Sequence, residues 1–469
     1  MPRVFACLAV ALVLGGCVYY NSMYNTKRLA NSARKAERDG RAFEATNLWG
    51  QVVVRAETLI TRHPDSKYVD EALVLKGLAL SRLRQCQVAV APLGHVSLLP
   101  EDSEVATEAT LALGRCQLEL GDPALAELMF AKVSESDDPV LRREARLLRG
   151  RALRLSGRPG EAIASLHGLD DPRAGTERLL SLAAIHRRDD ALALADSLLA
   201  IRDTTVQWDT MPAALGRADP LIASGLVDRL VARPQMVPQM RAVMLLDDGL
   251  RLEGVDSARS RARLEHTAAL KQAGDFPDRA RYALTRQHLG RTASVAELRT
   301  VHAELVQHAN ARSGMSPEAA QLRDQVVRVL VAADSAVPGA PQGDLRLFLA
   351  AEAARDSLGA PRLAASLFRT LVETMPDSPY APKALLAGKS LDPVWGESVT
   401  PLLTERYAFS PYVAMLRGEE PYGYQELEDS LEGFARTLAP AAVPGARGRA
   451  DSLPTRPGQA PPRRGGLIP

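Results

Sequence analysis

Few residues of this 469-residue chain are placed to do chemistry. The eight His are scattered, with no HExxH pair, no CxxC, no GxSxG elbow and no Gly-rich phosphate loop after a strand. His302 and His308 are six residues apart, which puts them on different sides of a helix and not at metal-ligand spacing. The residues therefore predict no catalytic group, no metal site and no cofactor, and the chain reads as a non-enzyme. What remains is four thiols: Cys7 and Cys17 near the N-terminus, and Cys86 and Cys116 farther on.

The setting of Cys17 defines its chemistry. After Met-Pro-Arg, the run from Val4 to Leu14 holds no polar side chain. Its eleven residues are too few to span a membrane as a helix, which takes about 20. A charged start, a short apolar run and small residues at its end describe a secretory signal peptide. The four residues at its junction with the following chain, Leu14-Gly15-Gly16-Cys17, resemble the lipobox of bacterial lipoproteins. That resemblance implies cleavage after Gly16 and lipid on Cys17, so residues 1–16 are the signal peptide and 17–32 a lipidated, Tyr-rich leader. Tyr19, Tyr20 and Tyr24 then lie at the lipid–water boundary or pack on the first helix. Residue 18 is Val, not Asp, and for a lipoprotein this implies the outer membrane, facing the periplasm. Export also places Cys86 and Cys116 where a disulfide can form, two free thiols being the alternative.

Aromatic residues are only 4% of the chain, and Ala, Leu and Arg are abundant. This is the composition of an all-α protein built from small packing contacts. A formal net charge of +2 gives no reason to expect a nucleic-acid partner. The tail, residues 439–469, holds five Arg and one Asp among many Pro, Gly and Ala, and is expected to be disordered.

Three segments repeat. In ALVLKGLALSRLRQCQVAVAPL, ATLALGRCQLELGDPALAELMF and ARLLRGRALRLSGRPGEAIASL, a Gly (Gly77, Gly114, Gly150) is followed twelve residues later by Ala89, Ala126 or Ala162. Four residues on comes Leu93, Phe130 or Leu166. The turn sequences LGDPA and SGRPG fall between the two helical runs. The pattern resembles the tetratricopeptide repeat (TPR). It implies a TPR-like α-solenoid of antiparallel helical hairpins, with clear repeats over 33–170. GRAFEATNLW, residues 40–49, reads as the turn and second helix of an N-terminal copy. In a further copy, over 346–390, Ala364, Phe368 and Pro376 take the signature positions. Residues 171–345 read as degenerate helical repeats. Pro393, Pro401, Pro411 and Pro421 predict shorter helices and loops over 391–438.

HPDSKYVDEAL and MPDSPYAPKALLAG, with the lipobox and the Tyr-rich leader, resemble the BamD family of outer-membrane lipoproteins and the related periplasmic TPR proteins of the Tol–Pal type. The first resemblance implies a non-enzymatic scaffold for β-barrel assembly, whose partners are a BamA-like barrel protein and unfolded barrel precursors. The second implies coordination or activation of cell-wall and division proteins. The chain is nearly twice as long as a BamD. In a TPR the first helix of each repeat lines the concave face. Six residues before each Gly stand Glu71, Glu108 and Glu144, and one after it Leu78, Arg115 and Arg151. The expected groove is a Glu row beside a partly Arg row, suited to an extended peptide. The alternative is a solvated face of Glu–Arg pairs with no ligand.

Overall fold

The structure is a computed structural model and describes residues 21–100, 104–169, 171–201, 206–311 and 313–438. Two units divide the chain, one ending at Ala273 and the other starting at Gly274. This boundary falls inside the segment expected to be a single run of degenerate repeats.

In the first unit each hairpin turns on one residue with a left-handed backbone, and that residue keeps the register. Gly40, Arg84, Gly121, Gly157 and His186 all have φ between 56° and 89°. They separate α1 (residues 21–38) from α2 (Ala42–Arg62), and α3 (Val69–Arg82) from α4 (Cys86–Gly94). In the same way they separate α5 (Glu104–Glu119) from α6 (Pro123–Val133), α7 (Pro139–Leu155) from α8 (Pro159–Leu166), and α9 (Pro172–Ala184) from α10 (Arg188–Ala200). Five residues after each turn residue lies a buried Ala: Ala45, Ala89, Ala126, Ala162 and Ala191. Nine residues after it lie Trp49, Leu93, Phe130, Leu166 and Ala195, and seven before it Ala33, Gly77, Gly114, Gly150 and Leu179, all buried.

The two outer positions of this register complement each other in size. A Cβ built on Gly77, Gly114 or Gly150 would fall 2.5–2.7 Å from Leu93, Phe130 or Leu166, closer than carbon atoms pack. In the α9–α10 hairpin Leu179 stands where Gly is expected and Ala195 where the large residue is, both in one apolar cluster with Ala191. The close approach of the two helices moves to Gly175, whose built Cβ would fall 2.7 Å from Leu198, and for that reason the signature fades from the sequence while the hairpin persists.

The unit continues with α11 (Met211–Gly216), α12 (Pro220–Val231), α13 (Pro238–Arg251) and α14 (Ser257–Ala269). In α13–α14 the same contact recurs with shorter spacing. Gly249 lies against Leu264, fifteen residues on, and Ser260 takes the Ala position with its hydroxyl donating to the Gly249 carbonyl at 2.6 Å. Asp-Pro dipeptides begin several of these helices. Asp122, Asp138, Asp171 and Asp219 accept from backbone N–H groups of the first turn while the following Pro occupies the position that needs no donor.

The second unit runs α15 (Phe276–Arg291), α16 (Val295–Asn310), α17 (Ser316–Asp334), α18 (Gly343–Asp356), α19 (Pro361–Thr374), α20 (Ala381–Leu391), α21 (Pro393–Glu405), α22 (Pro411–Leu416) and α23 (Tyr424–Leu438). Its core gathers Leu289, Leu298, Leu305, Val326, Phe348, Phe368 and Tyr380. Ala364 and Phe368 are buried on α19 as the repeat signature requires, and the Phe348 and Phe368 rings meet at 5.3 Å.

The chain is thus an all-α protein, a TPR-like α-solenoid of antiparallel hairpins. Two expectations change. Residues 21–32, assigned to the leader, belong to α1, which pairs with α2 and buries Met23, Thr26 and Ala30; Tyr24 lies on it, 56% exposed. Residues 391–438 are not only short pieces. Pro401 sits within the 13-residue α21, and α23 is 15 residues long and packs back on the unit, with Glu428 held by Lys383 at 2.7 Å. Pro393 and Pro411 stand in first turns, where proline starts a helix instead of breaking one. Residues 1–16, expected to be a signal peptide, Cys17, Tyr19, Tyr20 and residues 439–469 lie outside the described residues.

Candidate protein-interaction face

In the first unit α3, α5, α7 and α9 touch one another in turn and make one continuous face. The positions six before and one after the small residue of the register stand on it. The first set reads Lys27, Glu71, Glu108, Glu144, Arg173, and the second Arg34, Leu78, Arg115, Arg151, Leu180.

These side chains pair between hairpins and not along one helix. Glu71 of α3 meets Lys27 of α1 at 2.5 Å. Glu108 of α5 accepts from Arg34 of α1 and from Arg82 of α3, each at 2.8 Å, and is nearly buried. Glu144 of α7 accepts from Arg115 of α5 at 2.8 Å and from Arg173 of α9 at 2.6 Å. Leu78 is fully buried and faces no groove. The expected open Glu row is therefore corrected: Glu71, Glu108 and Glu144 are bound by cations of neighbouring hairpins and fix the stacking. Burial disfavours the charged form of Glu144, but hydrogen bonds from Arg173 and the charge of Arg115 overcome it and hold its carboxyl below the usual range.

Arg115, one after Gly114, binds Glu144, six before the next small residue. Arg151 cannot do the same, because the next residue in that row is Arg173. It reaches instead to Glu177 at 3.8 Å, a carboxylate that Arg154 already holds at 2.9 Å. Arg151 and Arg173 stand at the end of this ladder of ion pairs with side chains 54% and 53% exposed, Arg173 held by Glu144 and by Asp171 at 2.8 Å. Between them a cleft of about 210 Å³ opens, lined by Leu147, Leu148, Thr176 and Glu177. Guanidinium groups held by neighbouring carboxylates and facing solvent suit a carboxylate of a bound chain, with the two Leu side chains beneath an apolar residue. The sequence reading found Arg151 but missed Arg173 and Glu177. The signal for Arg173 was the same six-residue offset, hidden because Leu179 replaces the Gly from which it is counted.

The structure joins Cys86 and Cys116 by a disulfide, with Cα atoms 4.9 Å apart. It ties the start of α4 to the end of α5 in the next hairpin. In the α12–α14 region a buried carboxylate organises a second polar group. Asp248 accepts from Ser224 at 2.8 Å and Arg263 at 2.9 Å, and burial pushes its carboxyl above the usual range. In the second unit His308 is not near a metal cluster but shares Thr285 with Glu304. Among the described residues no group of His, Cys, Asp and Glu is arranged to hold a metal ion, and no helix is long and apolar enough to cross a membrane.

The fold and this face define a class, the helical-hairpin solenoids. No protein-family model matches the sequence, and no curated protein does. A solved structure described as "Structure of Naa15/Naa10 bound to HypK-THB" is similar at 12% identity over 90% of this chain and 69% of that one. Its TM-score is 0.23, a level at which the likeness carries no argument about this chain.

Proposed function

We propose that the chain is a non-catalytic scaffold that holds protein partners on the first-helix face of its N-terminal unit. The observation that carries this reading is the end of the ion-pair ladder, where the half-exposed guanidinium groups of Arg151 and Arg173, each beside its own carboxylate partner, flank an open cleft. Scaffolds of stacked hairpins present such faces to extended segments. The reading takes the protein to be lipid-anchored through Cys17 in the outer membrane and facing the periplasm, on the strength of Leu14-Gly15-Gly16-Cys17. Its favoured system is β-barrel assembly, supported by the resemblance of HPDSKYVDEAL and MPDSPYAPKALLAG to the BamD family.

The test is capture of the tagged protein from gently solubilised membranes, with partners identified by mass spectrometry. A BamA-like barrel protein in near-equal amount supports the assembly role. Cell-wall or division proteins in its place would remove that role and favour the Tol–Pal-type alternative, leaving the scaffold intact. Replacing Arg151 by Ala, which leaves Glu177 on Arg154 and Arg173 on Glu144, should weaken capture of the partner by the folded protein; undiminished capture would sink the cleft as its seat. Palmitate labelling that survives Cys17→Ala would refute the anchor.

A further inference from the structure

The second unit carries an open cleft of about 310 Å³ built from two loops. One is the Pro-Asp-Ser-Pro turn between α19 and α20, which contributes Pro376, Asp377 and Pro379. The other joins α21 to α22 and contributes Tyr407, Phe409 and Pro411. The Tyr407 hydroxyl donates to the Pro376 carbonyl at 2.8 Å, which locks the two loops together. Phe409 has no such role: it is 101% exposed on the rim, and an aromatic ring left wholly in water by a rigid loop offers a face to a ligand. Asp377, with its side chain 97% exposed, keeps acceptor capacity beside its contact with Arg406 at 3.2 Å.

A cleft of prolines and aromatics with an exposed carboxylate matches one kind of ligand. Extended proline-rich segments dock on aromatic surfaces at little entropic cost, because the left-handed polyproline form is already populated when free, and a basic residue beside the prolines adds an ion pair. The chain contains such a segment. Residues 454–464 read PTRPGQAPPRR. The charges are complementary: residues 391–438 hold nine Asp and Glu against three Arg, and 439–469 hold five Arg against one Asp. The reach also fits. The start of α23 lies beside the cleft, where the Tyr424 ring meets that of Tyr412 at 5.5 Å. Its 15 residues carry the chain about 21 Å away at 1.5 Å per residue. Residues 439–453 in extended form cover roughly 46 Å at about 3.1 Å each, more than enough to return.

We propose that residues 454–464 of the same chain seat in this cleft, so that the second unit holds a Pro/Arg-segment site occupied by the protein's own C-terminus. The experiment places a photo-crosslinker in the full-length protein as Phe409→p-benzoylphenylalanine, a change at a side chain that packs against nothing. The expected result is a crosslink to 454–464 within one chain, with a yield independent of protein concentration and lost when Pro457, Pro461 and Pro462 become Ala. The same crosslinker at Val394, 83% exposed on α21, should give none. Crosslinks only between chains, to other segments, or equal in yield at both positions overturn the proposal. A second measurement needs no altered aromatic: trypsin should cut after Arg463 and Arg464 faster in Asp377→Lys than in the unaltered chain, and equal rates overturn it as well.

Discussion

Adding one carbon at Gly150 should change sign in its effect according to what stands at residue 166. The built Cβ lies 2.5, 2.6 and 2.8 Å from the Cγ and two Cδ atoms of Leu166, against an optimal carbon separation of about 3.5–4.0 Å. The overlap of about 1 Å must be relieved by parting α7 from α8 or by moving Leu166 off its rotamer. Such overpacking costs about 1–3 kcal/mol, while Ala in place of Gly in a helix returns about 1 kcal/mol. Gly150→Ala alone should thus be neutral to destabilising by about 2 kcal/mol. Leu166→Ala alone opens a cavity and should cost about 2–5 kcal/mol. With the Leu gone the clash is gone, and Gly150→Ala in that background should stabilise by about 1 kcal/mol. Gly50→Ala, where a Cβ meets nothing within 4 Å, is the control and should stabilise in both backgrounds. The assay is urea unfolding followed by circular dichroism, with amide exchange in α7 and α8 because stacked hairpins open locally. A Gly150→Ala effect that is the same with Leu or Ala at 166 would refute the steric account.

Three further outcomes follow from the same contacts. Glu144 is ionised more readily in the folded chain than its ordinary 4.5, so its contribution is complete above that pH and fades as pH falls through the lower folded value. Glu144→Gln should therefore be less stable than the unaltered chain at neutral pH, the gap closing in strongly acidic solution; a gap that widens on acidification contradicts the pairing. Reducing the bridge between Cys86 and Cys116, 30 residues apart, should lower stability by up to about 4 kcal/mol on the chain-entropy account, and Cys86→Ala with Cys116→Ala should abolish that response to reductant. Replacing Arg82 by Met should lower the melting temperature at neutral pH, because it removes one of two cations beside the nearly buried Glu108; an unchanged melting curve would show that Arg34 suffices.

The sequence alone determined the helical class and the register of three hairpins, because a Gly at the close approach of two helices and a large residue sixteen positions later are local requirements that each repeat must meet again. It also marked Glu71, Glu108, Glu144, Arg115 and Arg151 as residues sharing one face. The hairpin of α9 and α10 was not legible, since its close Gly contact is made by Gly175 and Leu198, outside the expected positions, where Leu179 and Ala195 stand. Nor was α13–α14, where a spacing one residue shorter shifts every later position. Only the tertiary structure decided what the charged rows do. Whether a Glu is open to a ligand or bound to a cation depends on which side chain the next hairpin brings within about 3 Å, and that is a property of stacking. The same stacking brings Arg151 and Arg173 to the two sides of one cleft, each half-exposed beside its own carboxylate, and so decides where along the face a partner can begin.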